Sequence, residues 1–360
     1  GLVWHETLVY LCLAAGVYFS IRSRFVQVRQ IPEMVRLMLK GEKSPSGVSS
    51  FQALTISLAG RVGTGNIAGV ATAATIVELR TIVELRTCAA GAPGIYTAGS
   101  TGEFYAMEFD EWKLITRVTV EECRKAGVPV MIGITSTYTL GAQRRAAYAA
   151  ELGADAVQVA LPFWIELDGP AAVRFFSDSV KACPGLALTI YETMRAKKAL
   201  TVEEHRAVAD NTGCYLAVKA NENTVGCTPE GCRQLSEFVN VWVSEELWSE
   251  LGPCGAIGCA SALFYTNPRI TRLMFDLLRQ QQWDELRPWT DKVERLIGEG
   301  LKPFTDKGYT DTAYDHLQGL VAGFLTMHPR SRAPYVSASP EDVEQFRRWL
   351  AENMPEFLKL

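Results

Sequence analysis

The chain has 360 residues, of which 48% are hydrophobic, so it can bury the core of one large domain or two medium ones. Its formal net charge of −4 gives no reason to expect a nucleic-acid partner. The nine cysteines include no CxxC pair and the four histidines form no HxxxH motif, so we expect reduced thiols and no metal site.

The first apolar segment lies within residues 2–21, about the length that a bilayer-spanning helix needs. His5 and Glu6 restrict its uninterrupted apolar part to residues 7–21. Three arginines follow within residues 22–29, and the positive-inside rule would place that end in the cytoplasm. A membrane-spanning helix and a buried or interfacial helix both remain open.

A second apolar stretch covers residues 49–77 and has VGTGN at its centre, residues 62–66. Small residues and an Asn within an apolar helix allow close packing or local unwinding, which suits an ion or substrate site. Residues 16–38 and 49–73 closely resemble the start of the sodium:alanine/glycine symporter family, and the resemblance extends over residues 1–73.

In that family the VGTGN stretch lies on an interrupted helix near the sodium and amino-acid sites. The resemblance would place such a motif at Gly63, Thr64, Gly65 and Asn66. After residue 77 no apolar run approaches the length of a spanning helix. We therefore interpret residues 1–77 as a truncated, helical, symporter-like segment in contact with a membrane, and we do not expect transport by this chain.

A junction follows at residues 78–90, at a tandem copy: residues 75–80 and 81–86 both read TIVELR. A copy this short is no structural repeat and indicates a duplication or joining event. Its apolar positions cover one broad helical face, so we predict a helix over residues 75–89.

From residue 94 onward, short apolar β-rich runs alternate with amphipathic stretches, which is typical of βα units on a parallel sheet. The predicted strands are 94–98, 128–135, 156–161, 186–191, 214–219, 238–243 and 255–259. The predicted helices are 108–125, 140–152, 170–182, 202–209, 229–236 and 267–281. This pattern predicts the α/β class with a (βα)8 TIM barrel over residues 91–282, followed by a C-terminal helical bundle over residues 283–360.

Lys219 closes an otherwise apolar predicted strand, and barrel active sites lie at the carboxyl ends of strands. Partial desolvation there would lower the pKa of the lysine and free its neutral amine. Such an amine adds to a ketone and gives an iminium, an electron sink for making or breaking a C–C bond. The alternative is a strand-end lysine in solvent or in an ion pair.

Other polar residues also follow the carboxyl ends of predicted strands. Ser100 and Thr101, between glycines, could bind a carboxylate at a helix N-terminus, although Ser100 and Glu103 also fit a capping box. Tyr191 could relay protons and Arg195 could hold a second carboxylate bidentately. The alternatives are a tyrosine at the core edge and a surface arginine.

From about residue 91 to about residue 349 the chain resembles the dihydrodipicolinate synthase/N-acetylneuraminate lyase family. The matches are GIYTAGSTGEFY, VPVMIGITS, LALTIYE, YLAVKANENTVG and GAIGCAS. The resemblance implies that Lys219 is the Schiff-base lysine, with Tyr191 and Thr101 as catalytic partners. It also implies that Ser100 and Thr101 bind the substrate carboxylate and that Ile257 lines the pocket. The substrate would be pyruvate or another small 2-oxo acid, without a cofactor, in a homo-oligomer.

Two features depart from the family pattern. Phe163 and Trp164 stand where the synthase branch has two tyrosines, so we expect an aldolase or lyase rather than the synthase itself. The first strand has no clear counterpart, and residues 67–73, rich in Ala and Gly, are the nearest candidate. We therefore predict that the first strand is missing, poorly formed or replaced, and that without a replacement the barrel stays open between strands 94–98 and 255–259.

Three functional interpretations follow. The first is a class I lyase or aldolase, with a cytoplasmic catalytic domain anchored to the membrane through residues 1–77. The second is a fragment of a sodium-coupled amino-acid symporter. The third is a non-functional fusion with an incomplete barrel.

Overall fold

The structure is a computed structural model that describes Arg22 and residues 75–79, 90–323, 325 and 329–360. Apart from Arg22, these residues belong to one unit, Ile67–Leu360. The predicted N-terminal helices, the motif at Gly63–Asn66 and the candidate strand at 67–73 lie outside the described residues. Among the residues that are described, no helix combines the length and the apolarity needed to cross a bilayer.

Eight parallel strands close into a barrel in the order in which they occur along the chain. They are β1 (Thr75–Leu79), β2 (Gly94–Thr97), β3 (Val130–Gly133), β4 (Ala156–Val159), β5 (Ala187–Tyr191), β6 (Tyr215–Lys219), β7 (Asn240–Trp242) and β8 (Ala256–Ser261). Each of the seven strands predicted from the sequence overlaps one of β2–β8, so that part of the fold prediction is confirmed.

A replacement first strand is present, and the helix predicted from residue 75 was wrong. Residues 75–79 of the first TIVELR copy do not begin a helix; they form β1, which pairs with β2 on one side and with β8 on the other. The barrel is therefore closed, and the alternative of an opening between β2 and β8 was wrong. Thr75, Ile76 and Val77 are β-branched and favour a strand, and pairing on both sides leaves neither β2 nor β8 with a free edge.

Helices surround the barrel and continue beyond it. They are α1 (Phe109–Ala126), α2 (Thr139–Leu152), α3 (Gly169–Val180), α4 (Val202–Thr212), α5 (Pro229–Ser236), α6 (Trp248–Leu251), α7 (Leu263–Thr266), α8 (Pro268–Arg279), α9 (Trp283–Arg295), α10 (Asp311–Val321) and α11 (Pro340–Asn353). The last three, together with short helical turns at Leu296–Leu301 and Lys302–Lys307, form the expected C-terminal helical region.

The buried apolar side chains form two clusters. The larger one fills the space between the strands and the surrounding helices. The smaller one contains Tyr96, Met131, Ala156, Ala217 and Trp242, with Ile257 packed against it. Since strand pairing sets Tyr96 beside Met131 and Met131 beside Ala156, these side chains share one face of the sheet, which we assign to the barrel interior.

Hydrogen bonds connect segments near the C-terminus to earlier parts of the chain. The Asn267 side chain caps α8 by accepting from the Ile270 N–H at 3.1 Å, and its amide donates to the Phe357 carbonyl at 3.0 Å. The Arg332 N–H donates to the Glu103 carboxylate at 2.7 Å, which fixes the last third of the chain to the loop after β2.

Candidate active site

Tyr191 and Lys219 end neighbouring strands, and strand pairing places them directly side by side. The Lys219 Nζ lies 4.3 Å from the centre of the Tyr191 ring. Tyr191 is buried and Lys219 is half-buried, so the amine is partly withdrawn from water. These two residues therefore meet at the carboxyl end of the barrel, as their positions in the sequence predicted.

The loop after β2 carries Ser100 and Thr101 at the same end of the barrel. Ala98 and Glu103, at its two ends, have left-handed φ angles of 60° and 59°, a conformation that costs free energy outside glycine. A Cβ added at Gly102 would lie 2.9 Å from the Ala98 backbone nitrogen, so the loop needs glycine there. The Thr101 Oγ1 is buried and has no hydrogen-bond partner among the described residues.

The capping-box alternative for Ser100 was wrong. The next α-helix, α1, begins at Phe109 and carries its own capping box between Glu108 and Glu111. The Glu103 carboxylate instead accepts the Arg332 N–H. Ser100 is thus free of a helix-capping role, and it lines a cavity.

This cavity has a volume of about 230 Å³ and lies at the strand ends after β2 and β4. Four aromatic rings line it: Phe104, Tyr105, Phe163 and Tyr335. Its polar lining comprises Ser100, Thr135, Thr193, Arg195, Thr310 and Asp311. Of the predicted site residues, Ser100 and Arg195 line the cavity, whereas Thr101, Tyr191, Lys219 and Ile257 do not.

Arg195 makes a bidentate ion pair across the cavity rim. Its Nη1 and Nη2 lie 3.0 and 2.9 Å from the two carboxylate oxygens of Asp311, the first residue of α10. The side chains are 57% and 36% exposed, so water weakens the pair without removing it. The guanidinium predicted to hold a substrate carboxylate is thus engaged by a carboxylate of the chain.

Ile257 lies on β8 and packs against the interior cluster.

A buried polar pair, Ser261 and Glu245, lies at the end of the same strand. The Ser261 hydroxyl, at the end of β8, donates to the Glu245 carboxylate in the turn after β7. Burial raises the pKa of Glu245 to about 7. Within the described part of the chain, no three His, Cys, Asp or Glu side chains are grouped so as to hold a metal ion.

Phe163 and Trp164, which depart from the family pattern, point to different environments. Phe163 lines the cavity, with its ring centre 6.2 Å from that of Phe104. Trp164 is 77% exposed, and its carbonyl accepts from Lys197 Nζ. Neither side chain has the hydroxyl that a proton relay would need.

Several cavity residues were not identified from the sequence. Phe104 and Tyr105 directly follow the GSTGE motif and could have been suspected from that position. Thr310, Asp311 and Tyr335 come from the C-terminal third, where no motif marks them. They reach the cavity only through tertiary folding.

A closed parallel barrel with a lysine and a tyrosine side by side at the carboxyl ends of adjacent strands has the architecture of a TIM-barrel protein, in which active sites lie at that end. The dihydrodipicolinate synthetase family model matches residues 73–352, and the chain belongs to that family. The sodium:alanine symporter family model matches residues 1–77. Both resemblances seen in the sequence are thereby confirmed.

Individual relatives match parts of the chain. A hydratase-aldolase for trans-O-hydroxybenzylidenepyruvate from Pseudomonas aeruginosa is 33% identical over 110 residues, which are 31% of this chain and 33% of that protein. A putative sodium/proton-dependent alanine carrier of Bacillus subtilis, YrbD, is 58% identical over 73 residues, 20% of this chain and 15% of the carrier. The chain thus spans a third or less of each of these relatives.

Solved structures share the fold. YagE of Escherichia coli K12, a dihydrodipicolinic acid synthase family protein in complex with pyruvate, superposes with a TM-score of 0.69. The alignment covers 78% of this chain and 98% of YagE at 17% identity. The likeness therefore concerns the barrel and its C-terminal helices.

Proposed function

We propose that this chain is a class I lyase or aldolase in which the Lys219 amine attacks the carbonyl carbon of a small 2-oxo acid. The observation that carries the proposal is the pairing of Lys219 with Tyr191, with the Nζ 4.3 Å from the ring centre. A half-buried amine can act as a nucleophile, and a phenol beside it can supply and accept protons. The relatives that act as a hydratase-aldolase or bind pyruvate support the same reaction class.

The chemistry uses only groups of the chain. The neutral amine adds to the carbonyl and forms a carbinolamine, which loses water to give an iminium; Tyr191 and Thr101 would move the protons. When the C–C bond breaks, the iminium accepts its electron pair and becomes an enamine; in the opposite direction the enamine donates that pair to the new bond and becomes the iminium again. Protonation converts the enamine left after cleavage back to an iminium, and water hydrolyses the iminium to release the 2-oxo acid and the free amine. The hydroxyls of Ser100 and Thr101 and the nearby backbone N–H groups would hold the carboxylate, with Ile257 beside the lysine. No cofactor enters this scheme.

We further propose that the barrel is a cytoplasmic domain that works as a homo-oligomer. Tyr138, Trp164 and Ile165 line one groove on the barrel surface, and these side chains are at least half exposed. Exposed apolar side chains grouped in this way are typical of protein interfaces. A membrane contact through residues 1–77 is supported by their match to a symporter family.

Sodium borohydride reduction in the presence of pyruvate tests the reaction. We expect the reduced substrate mass on the peptide that carries Lys219, and none in Lys219→Met. Lys198, which pairs with Glu204 at 3.0 Å, offers a matched control, because Lys198→Met should still be labelled. An adduct on Lys197 or Lys198 in place of Lys219 would contradict the assignment.

The two other interpretations have less support. The closed barrel removes one reason to regard the chain as a non-functional fusion, although the TIVELR copy still indicates a joining event. Symport would rest on residues 1–77 alone, and the chain spans only 15% of the carrier that it matches there. We therefore favour the lyase.

A further inference from the structure

Asp311 occupies the position that a second substrate carboxylate would take on Arg195. Both guanidinium nitrogens contact its carboxylate, at 3.0 and 2.9 Å, which is the bidentate geometry that arginine offers to a carboxylate ligand. Asp311 starts α10, so its backbone is held by a helix. An anionic substrate group would have to displace a tethered carboxylate from this arginine.

The rest of the cavity wall is aromatic. The rings form an edge-to-face series from Phe163 to Phe104 to Tyr105 to Tyr335, with centre distances of 6.2, 5.6 and 4.9 Å. Edge-to-face packing offers further ring faces and edges to an aromatic ligand. The cavity volume of about 230 Å³ is enough for a single substituted ring.

We propose that Asp311 is a specificity determinant: it neutralises Arg195, so that the site accepts 2-oxo acids with an uncharged aromatic distal end and disfavours those with a distal carboxylate. This inference rests on the proposed function, because it assumes that the 2-oxo acid end lies towards Lys219. Two features act together. The aromatic wall favours a flat apolar group, and the Asp311 carboxylate both engages the guanidinium and repels a second anion.

Ligand binding to the full chain tests this directly, with phenylpyruvate and 2-oxoglutarate as probes. Both carry the same 2-oxo acid group, but one ends in a phenyl ring and the other in a carboxylate. In the unmodified chain, calorimetry should show phenylpyruvate binding at least about 5-fold more tightly. In Asp311→Asn the affinity for 2-oxoglutarate should rise about 5-fold, because the pair lies at a half-exposed rim where charge contacts are modest.

Three further variants isolate the cause. Asp311→Glu keeps the charge and should keep the preference for phenylpyruvate. Asp306→Asn removes an exposed acid of the turn Lys302–Lys307 and should change neither affinity. Adding Arg195→Met to Asp311→Asn should abolish the gain for 2-oxoglutarate, since the freed guanidinium is gone.

The two proposals fail in different ways. If borohydride traps no adduct on Lys219 but Asp311→Asn still binds 2-oxoglutarate more tightly, the lyase proposal falls, and the effect of Asp311 on ligand binding stands without its assignment to that reaction. Equal binding of the two probes to the unmodified chain would overturn the inference. An unchanged ratio of affinities in Asp311→Asn would overturn it as well, whatever the adduct experiment gives.

Discussion

At the scale of single residues, the proposed reaction assigns proton transfer to two side chains at the strand ends. The buried hydroxyl of Thr101 has no hydrogen-bond partner in the part of the chain that the structure describes, and the Tyr191 ring lies next to the Lys219 amine. We expect Thr101→Val and Tyr191→Phe each to slow single-turnover iminium formation about 100-fold, because each removes one proton-transfer group. Tyr148→Phe on the outer helix α2 is the matched control and should react at the normal rate. Unchanged rates in both site variants would refute these roles.

We expect the buried carboxyl of Glu245 to make the free energy of unfolding depend on pH. Burial raises its pKa from 4.5 to about 7, so the folded chain binds this proton more tightly than the unfolded chain. The resulting stabilisation, about 3 kcal/mol, is fully present below pH 4.5 and is lost as the pH rises through 7. The glutamine in Glu245→Gln is neutral at every pH, so this substitution should remove the loss of stability as the pH rises.

Urea unfolding at about pH 5 and about pH 8.5 measures the effect of Glu245→Gln. The free energy of unfolding should fall less between these values in the variant than in the unmodified chain. Glu341→Gln, at an exposed position, should leave the decline intact. A decline of equal size in Glu245→Gln would show that other groups cause it.

The position of Lys219 and Tyr191 at strand ends was predictable, because each closes a short apolar run and barrel topology brings such ends together. The ion pair between Arg195 and Asp311 was not predictable. Its partners are far apart in sequence, and neither a motif nor a period links them. Local patterns place a residue on an element, but only packing decides which distant residue it meets.

At the scale of elements, β1 completes the barrel. Without it, β2 and β8 would each expose an edge whose N–H and C=O groups lack partners. A chain that starts at Ser57 should remain soluble without detergent, with Thr75–Leu79 protected from hydrogen exchange. A chain that starts at Ala90 should lose protection in β2 and β8 and aggregate. Similar protection of β2 and β8 in the two chains would show that β1 contributes little.

The error at β1 has a physical cause. In TIVELR the apolar residues fit one broad helical face, while the β-branched Thr-Ile-Val run also favours a strand. Local preference therefore leaves the choice open. The need to pair the two neighbouring strands decides it, and that need arises only in the complete barrel.

At the scale of the whole molecule, the groove that contains Trp164 is the proposed contact between copies. Trp164 is 77% exposed and Ile165 is 70% exposed. We expect Trp164→Glu to weaken self-association about 10-fold or more, because large aromatic side chains dominate interface energies. Sedimentation over a range of concentrations measures this. Leu273→Glu, at an exposed leucine on α8, should not change the association. An unaltered sedimentation profile in Trp164→Glu would place the contact elsewhere.

The C-terminal origin of Thr310, Asp311 and Tyr335 also has a consequence for synthesis on the ribosome. The last barrel strand ends at Ser261, so all eight strands can emerge and pair while these three residues are still inside the ribosome. During that interval Arg195 has no Asp311 beside it, and the aromatic series lacks its final ring. The nascent barrel would thus expose an unpaired Arg195 guanidinium and an incomplete aromatic cavity wall. Anionic metabolites can bind the first, and chaperones can bind the second. The interval ends when the segment that contains Thr310, Asp311 and Tyr335 has left the ribosome and folded onto the barrel.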